Sequence, residues 1–389
     1  MSVEFLPGNH LTLLETGAQY FPALLEAIGT AGHTIQLETY IFANDATGRA
    51  VTAALVAAAR RGVTVRVLVD GFGARDFAAG LGREIIAAGG MVEVYRPEIG
   101  RLRLKRHRLR RLHRKLAVID GRIAFVGGIN IIDDMDTPGL GPRFDYAVRI
   151  EGLLVAPILS SMLHLWRLVG WARLRRRPPK PAPHEYAIAA ISGGILAGFV
   201  VRDNLRHRRD IEEAYLEALD SAKHDVLIAN AYFLPGRRFR HALIDAARRG
   251  CRVTVLLQGQ VEYALLHYAT QALYAQLLRH DIHIFEYRAG FLHAKVGMVD
   301  DDWATVGSSN IDPFSLLLAR EANVIVKDTH FTATLRKSLE RAIEEDAVEI
   351  TSAELRRSGL LARTLRWLAY GLVRLMLGAT GYGGEDYRE

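Results

Sequence analysis

"LHRKLAVIDGRIAFVGGIN" (112–130) and "LHAKVGMVDDDWATVGSSN" (292–310) are one pattern written twice. In each, a lysine follows a histidine by two residues and an aspartate ends the apolar run: His113, Lys115 and Asp120, then His293, Lys295 and Asp300. Asp120-Gly121, set between "KLAVI" and "RIAFV", is a strong two-residue hairpin signal. His113 and Lys115 precede that turn on a predicted strand, so their side chains share one face. The returning strand ends at Gly127-Gly128 in one copy and Gly307-Ser308 in the other, where bare backbone lets a ligand approach closely. Asn130 and Asn310 follow. An imidazole, an ammonium and an amide beside Gly128 or Ser308 suit a phosphoryl oxygen. A lone His-x-Lys arises by chance in most long chains; two complete copies do not.

The repetition reaches beyond the motif. "AIGTAGHTIQLETYIF" (27–42) matches "ALDSAKHDVLIANAYF" (218–233), and "AARRGVTVRVLVDG" (58–71) matches "AARRGCRVTVLLQG" (246–259). Each half reads as helix, strand, helix, strand, a further helix and strand, then the motif hairpin. The helices carry apolar residues at three-to-four spacing, as in "GRAVTAALVAAARR", and the strands are apolar runs such as "TVRVLV". Such alternation predicts an α/β fold with sheets covered by helices. The offset of roughly 180 to 191 residues marks a duplicated domain and not a solenoid. The expected organisation is a first α/β/α sandwich over 1–177, a Pro-rich linker at 178–186 within "RLRRRPPKPAPHEY", and a second sandwich over 187–350. Residues 351–389 form an amphipathic C-terminal segment.

Composition narrows the partners. Across 389 residues, 50 Lys+Arg stand against 43 Asp+Glu, a formal charge of +7 that favours nucleic acid or an anionic membrane surface. Cys251 is the single cysteine, so no intramolecular disulfide is possible, and "GCRVTVLLQG" reads as a buried strand. No carboxylate cluster or His/Cys spacing suggests a metal, and no cofactor is expected. The N-terminus lacks the pattern of a secretory signal, and no run reaches the length of a spanning helix, so a cytoplasmic, non-spanning protein is expected.

Two histidines suit one phosphodiester. With the motifs facing, one imidazole attacks phosphorus to make a phosphohistidine and the other moves protons for the leaving and incoming alcohols. Lys115, Lys295, Asn130 and Asn310 would hold the non-bridging oxygens. Each histidine needs a carboxylate to fix its tautomer. Asp145 in "FDYAVRI" and Glu321 in "AREANVIV" occupy matching places on the strand after each motif and are the candidates. Asp120, at the hairpin turn, is better suited to a structural or orienting part in the candidate catalytic set than to the reaction.

These motifs resemble those of the phospholipase D superfamily: His-x-Lys, four residues, Asp, then Gly-Ser or Gly-Gly near an Asn. More narrowly the chain is similar to bacterial cardiolipin synthases, especially the B type without N-terminal transmembrane helices. The resemblance rests on "LLETGAQYFPALLEAI" (13–28), "QLETYIF" (36–42), "RLHRKLAVIDGRIAFVGGIN" (111–130), "DYAVRIEG" (145–152), "HAKVGMVDDDWATVGSSNIDPFSL" (293–316) and "EANVIV" (321–326). It implies two phospholipase D-like sandwich domains with a shared active site at their interface. The implied activity is phosphatidyl transfer between two phosphatidylglycerol molecules, giving cardiolipin and glycerol. By analogy with two-motif relatives, His113 is the nucleophile and His293 the acid/base. The first copy departs from Gly-Ser, so only Ser308 offers a hydroxyl.

A bilayer substrate demands membrane contact. In "LRRSGLLARTLRWLAYGLVRLMLG" (355–378), Arg363, Arg366 and Arg374 share a broad helical face and Trp367 lies with the leucines, the pattern of an interfacial helix. A helix packed on the second domain remains an alternative. "ILSSMLHLWRLVGWARLRRR" (158–177) reads as a core helix or a second contact. The basic run "RLRLKRHRLRRLHRK" (101–115), with Arg101, Arg103, Lys105 and Arg106, lacks the aromatic platforms of a nucleic-acid groove. Anionic headgroups need only its charge, at roughly 1 kcal/mol per basic residue. The expected partners are phosphatidylglycerol and other anionic phospholipids at the cytoplasmic face of the bacterial inner membrane, with peripheral attachment and nucleic acid disfavoured. Phospholipid or nucleic-acid hydrolysis, and an inactive lipid-binding scaffold, stand as competing functions.

Overall fold

The computed structural model describes residues 3–97, 110–135, 140–172, 190–203, 207–312, 319–357 and 359–379. The first half runs β1 (Phe5–Glu15), α1 (Thr16–Thr30), β2 (Thr34–Thr39), α2 (Ala46–Arg60), β3 (Thr64–Asp70), α3 (Leu81–Ala87) and β4 (Met91–Tyr95). It continues with β5 (Arg111–Leu112), the hairpin β6 (Lys115–Ile119) and β7 (Ile123–Gly127), then β8 (Tyr146–Gly152) and α4 (Val155–Ala172). The second half repeats this as β9 (Ile195–Arg202), α5 (Asp210–Ser221), β10 (Asp225–Asn230), α6 (Arg237–Arg248), β11 (Arg252–Gln258), α7 (Ala264–Leu278) and β12 (His283–Tyr287). Its hairpin is β13 (Lys295–Val299) and β14 (Trp303–Gly307), followed by β15 (Ala319–Lys327) and α8 (Thr329–Asp346). β16 (Ala347–Glu349), α9 (Ser352–Arg357) and α10 (Leu360–Ala379) end the described chain.

Among the described residues the strands form one 16-stranded sheet, ordered β16-β12-β11-β10-β13-β14-β15-β9-β1-β8-β7-β6-β2-β3-β4, with β5 joined to β15. Apart from β16, which has no counterpart, the order is the same from each end inward, and the halves meet at β9 and β1, which pair antiparallel with Phe5 opposite Gly198. The duplicated α/β architecture agrees with the expectation. What the sequence left unseen is that the two sheets fuse edge to edge, which hides the backbone donors and acceptors of two edge strands. Neither β1 nor β9 stands in the element order expected from the repeat.

Helices cover both faces because many strands are buried on both. β2 and β6 are buried at every position, as parallel or sandwiched strands require. One core layer crosses the seam: Val148 and Ile150 of β8 and Val324 and Val326 of β15 pack with Ile158, Leu159 and Met162 of α4 and Leu335 and Leu339 of α8. The opposite face of each half has its own core, under α1, α2 and α3 on one side and under α5 and α6 on the other. α4 is thus a core helix, with Trp171 exposed at its end. Cys251 is buried as expected. The Pro-rich linker at 178–186, and Arg101, Arg103, Lys105 and Arg106, lie outside the described residues.

The motif aspartates brace the hairpins. Asp120 and Asp300 take the left-handed conformation, φ 52° and 51°, which Asp tolerates better than most residues. The Asp120 carboxylate accepts from the amides of Gly32, His33 and Thr34 at 2.7–2.8 Å. Asp300 repeats this with Lys223, His224 and Asp225. These amide bonds outweigh the cost of partial burial and hold both carboxyls below the usual carboxylate range. Neither aspartate lines the cavity that holds the histidines. Each ties its hairpin to the start of the neighbouring strand of the same half, β2 or β10, which is a structural part.

Candidate active site

The motif histidines do not lie inside a continuous strand. β5 leaves its own half to pair in parallel with β15, Leu112 opposite Arg320. His113 then donates its backbone N–H to Arg320 O at 3.0 Å, and His293 donates to Phe144 O at 2.8 Å. Each histidine is therefore tied by its main chain to the residue just before the other half's candidate acid. Side chains follow the same crossing. His113 Nδ1 donates to Glu321 Oε1 at 2.9 Å and lies 3.1 Å from Oε2. His293 Nδ1 donates to Asp145 Oδ2 at 2.6 Å. A carboxylate on Nδ1 keeps the proton there and leaves Nε2 for the substrate.

Each acid is fixed in turn. Glu321 is fully buried and accepts from Ser308 Oγ at 2.6 Å; that oxygen also accepts from Ala322 N at 3.1 Å. Asp145 Oδ1 accepts from Tyr146 N at 2.8 Å. A Cβ on Gly128 would stand 2.3 Å from the same oxygen, so the missing side chain makes room for Asp145. Gly128 and Ser308 were expected to meet substrate phosphate. Neither lines the cavity; each lies against a carboxylate that is bonded to a histidine.

The lysines also turn inward. Lys115 Nζ donates to His113 O at 2.6 Å, and Lys295 Nζ donates to His293 O while lying 3.5 Å from Asp145 Oδ2. Both are buried, and neither lines the cavity. Both side chains stand behind the imidazoles, tied to the main chain of the histidine before them. Burial pushes Lys115 down to about 7 against the opposing pull of Glu321, and burial also lowers Lys295. Burial, with the Lys295 charge beside it, pushes His293 down to about 3, so this imidazole is neutral at physiological pH. Burial alone would raise Asp145, but Lys295 and His293 overcome it and hold the carboxyl below its usual range.

His113 and His293 both line one cavity of about 480 Å³. Asn130, Asn310, Tyr40 and Arg111 share its wall, as do Ile41, Ile129, Leu266 and Met376. Asn130 Oδ1 accepts from Ile41 N at 3.1 Å, so this amide also positions the cavity wall. The Tyr40 ring packs edge-on against His113 at 4.9 Å. Among the residues that escaped the sequence reading, three flank the motif histidines in the chain or hold the residue before one. Asp70 Oδ2 accepts from Leu112 N at 2.8 Å, and Gln258 Oε1 accepts from Leu292 N at 3.1 Å, each anchoring the residue before a histidine. Their signal was present, since "VDG" and "LQG" end matched repeat segments. Arg111 is the third; it belongs to the basic run before the first motif.

One face of α10 packs on α7, the alternative its sequence left open, and the other face is exposed. Val373 is buried with Ala269 and Leu273 of α7, while Leu365, Trp367, Leu368, Leu372 and Leu375 are exposed. Arg366 was expected at headgroups, yet its Nε donates to Gln271 Oε1 at 3.0 Å, so it belongs to the packed face. Arg374 lies over the Tyr370 ring at 5.8 Å. The side chain of Arg363 lies outside the described residues. Among the described residues no helix is long and apolar enough to cross a membrane.

Duplicated halves, each lending a carboxylate to the other half's histidine over one cavity, point to the phospholipase D-like class. The family model described as "Cardiolipin synthase, PLD-like domain" matches residues 24–150 and 215–343. The chain is 41% identical over 382 residues to cardiolipin synthase B of Escherichia coli (strain K12), covering 96% of this chain and 90% of that protein. It is 31% identical to the major cardiolipin synthase of Bacillus subtilis (strain 168), covering 88% of this chain and 70% of the other. A solved structure of phosphatidylserine synthase from Haemophilus influenzae shares the fold, with TM-score 0.70, 13% identity and coverage of 98% and 96%. The chain belongs to the cardiolipin synthase family of PLD-like proteins.

Proposed function

We propose that the protein joins two phosphatidylglycerol molecules into cardiolipin and releases glycerol. The observation that carries this reading is the crossed pair, His113–Glu321 and His293–Asp145, on one cavity. Similarity to cardiolipin synthases over most of the chain supplies the substrate class. In the first step His113 Nε2 attacks phosphorus, the bond to the headgroup glycerol breaks, and His293 delivers a proton to the departing oxygen. His293 is neutral in the empty site; a phosphodiester anion bound beside it raises its proton affinity and loads it for that transfer. In the second step His293 takes the proton from a hydroxyl of the second phosphatidylglycerol. That oxygen attacks phosphorus and the phosphorus–nitrogen bond breaks. Arg111, Asn130 and Asn310 stand on the cavity wall to meet the phosphate oxygens, backed by the field of Lys115 and Lys295.

The protein works as a peripheral membrane enzyme on the cytoplasmic face of the bacterial inner membrane. Support comes from the outer face of α10, where Trp367 is 62% and Leu375 69% exposed, and from Met376 of the same helix at the cavity wall. A helix packed by one face and apolar on the other fits the headgroup boundary. Ending the chain at Ser358 should release it from phosphatidylglycerol vesicles; retained binding counts against this attachment.

Purified protein and phosphatidylglycerol vesicles, without added divalent metal, test the activity. Cardiolipin plus glycerol is the expected result. Phosphatidic acid alone indicates hydrolysis, and vesicle binding without product indicates a scaffold; a strict Mg²⁺ requirement contradicts the proposed steps.

A further inference from the structure

A second polar group on the cavity wall takes no part in holding the histidines. Tyr232 and Glu262 come from the second half and Arg143 from the first, and all three line the cavity with both imidazoles. The Tyr232 hydroxyl donates to Glu262 Oε2, and Arg143 Nη1 lies 3.7 Å from Glu262 Oε1. The Arg143 guanidinium covers the Phe291 ring at 5.1 Å, and the Tyr263 ring packs edge-on against Tyr232 at 5.6 Å. The group has no counterpart in the first half: in the matched segments Tyr232 falls opposite Ile41. Duplication of the catalytic parts therefore does not explain it.

Its chemistry is selective. A carboxylate with one phenol donor still offers lone pairs to further donors. Arg143 balances its charge, so an ammonium-bearing headgroup meets a guanidinium as well as a carboxylate. A neutral group with two adjacent hydroxyls meets acceptors and a donor with no charge to desolvate. From this placement we infer that Tyr232, Glu262 and Arg143 form the subsite for the vicinal diol of the glycerol headgroup on the acceptor phosphatidylglycerol. This rests on the phosphatidyl transfer proposed above and adds what makes the acceptor specific. Burial, reinforced by Glu262, keeps the Tyr232 phenol protonated, so it acts as a donor throughout the working pH range.

The test is a competition within one reaction. Vesicles of phosphatidylglycerol are incubated with the full-length protein, 1-butanol and isotopically labelled glycerol. The products are cardiolipin, phosphatidylbutanol and labelled phosphatidylglycerol. All three acceptors compete for the same donor-loaded enzyme, so effects on donor binding cancel in the ratios. A site built to hydrogen-bond hydroxyls loses discrimination when its polar group is removed. Glu262→Gln should lower the cardiolipin-to-phosphatidylbutanol ratio at least about tenfold, and Tyr232→Phe, which removes one oxygen, should lower it severalfold. Unchanged ratios in both variants overturn the subsite. A fall confined to the labelled product assigns the diol site to free glycerol and overturns its assignment to the lipid headgroup. If the unmodified protein transfers to no alcohol, phosphatidyl transfer itself is refuted, and the subsite with it.

Discussion

The two half-sites of the cavity solve one problem with different residues. Around His113, a glutamate reaches across from β15 and Ser308 fills the space beside it, donating to its carboxylate. Around His293, the acid is one methylene shorter and the place of the serine is left empty as Gly128, because Asp145 occupies it. Lys295 lies within reach of Asp145, while Lys115 donates only to its histidine carbonyl among the bonds around it. The acid and its neighbour changed together: Glu with Ser, Asp with Gly. The lesson is that the Gly-Gly and Gly-Ser ends of the motifs are packing solutions for an orienting carboxylate, chosen by its length.

That contrast can be broken from either side. The largest effect is expected from Asp145→Asn, which frees the tautomer of His293 and strips Lys295 of its nearest carboxylate. Cardiolipin formation should fall about 10³- to 10⁴-fold, as when a triad acid becomes an amide. Gly128→Ser, which writes the second copy's residue into the first, should cost about 10²- to 10³-fold in kcat, because its Cβ would stand 2.3 Å from Asp145 Oδ1. A Gly128→Ser protein with full activity would show that the two ends are interchangeable. Ser308→Ala only removes a donor from Glu321, and roughly a tenfold loss is expected. Steady-state assays on phosphatidylglycerol vesicles check all three.

A separate effect concerns stability. The folded pKa of His293 near 3 lies below its unfolded value, so the unfolded chain binds more protons between about pH 3 and 6.5. Stability should therefore fall as pH drops through that window. His293→Gln should flatten this slope in urea unfolding at pH 4, 5 and 6.5, relative to the parent protein. An identical slope would mean that His293 is not held neutral by the fold.

Much of this was legible in the sequence. The duplication, the motif hairpins and the matching positions of Asp145 and Glu321 come from local patterns, which repeat at fixed offsets. The crossing does not. It joins residues 208 and 148 positions apart, and periodicity within a strand carries no information on which half a side chain will meet. The same holds for β1 and β9, whose pairing fuses the sheets. Lys115 and Lys295 read as phosphate ligands because their spacing puts them on the histidine face; their bonds to the histidine carbonyls are tertiary detail that spacing does not encode. Asp70 and Gln258 went unread because an acid and an amide at matched strand ends look unrelated until both are seen holding the amide before a histidine.

The central claim is that both halves build one phosphatidyl-transfer site, with His113 attacking and His293 moving protons. Rapid quenching of the protein with phosphatidylglycerol labelled in its phosphate, followed by peptide mapping under alkaline conditions, tests it directly. Covalent label on His113, formed and discharged at a rate compatible with cardiolipin production, is the expected result. Label on His293 in its place contradicts the assignment of roles, and turnover with no labelled histidine contradicts the covalent mechanism.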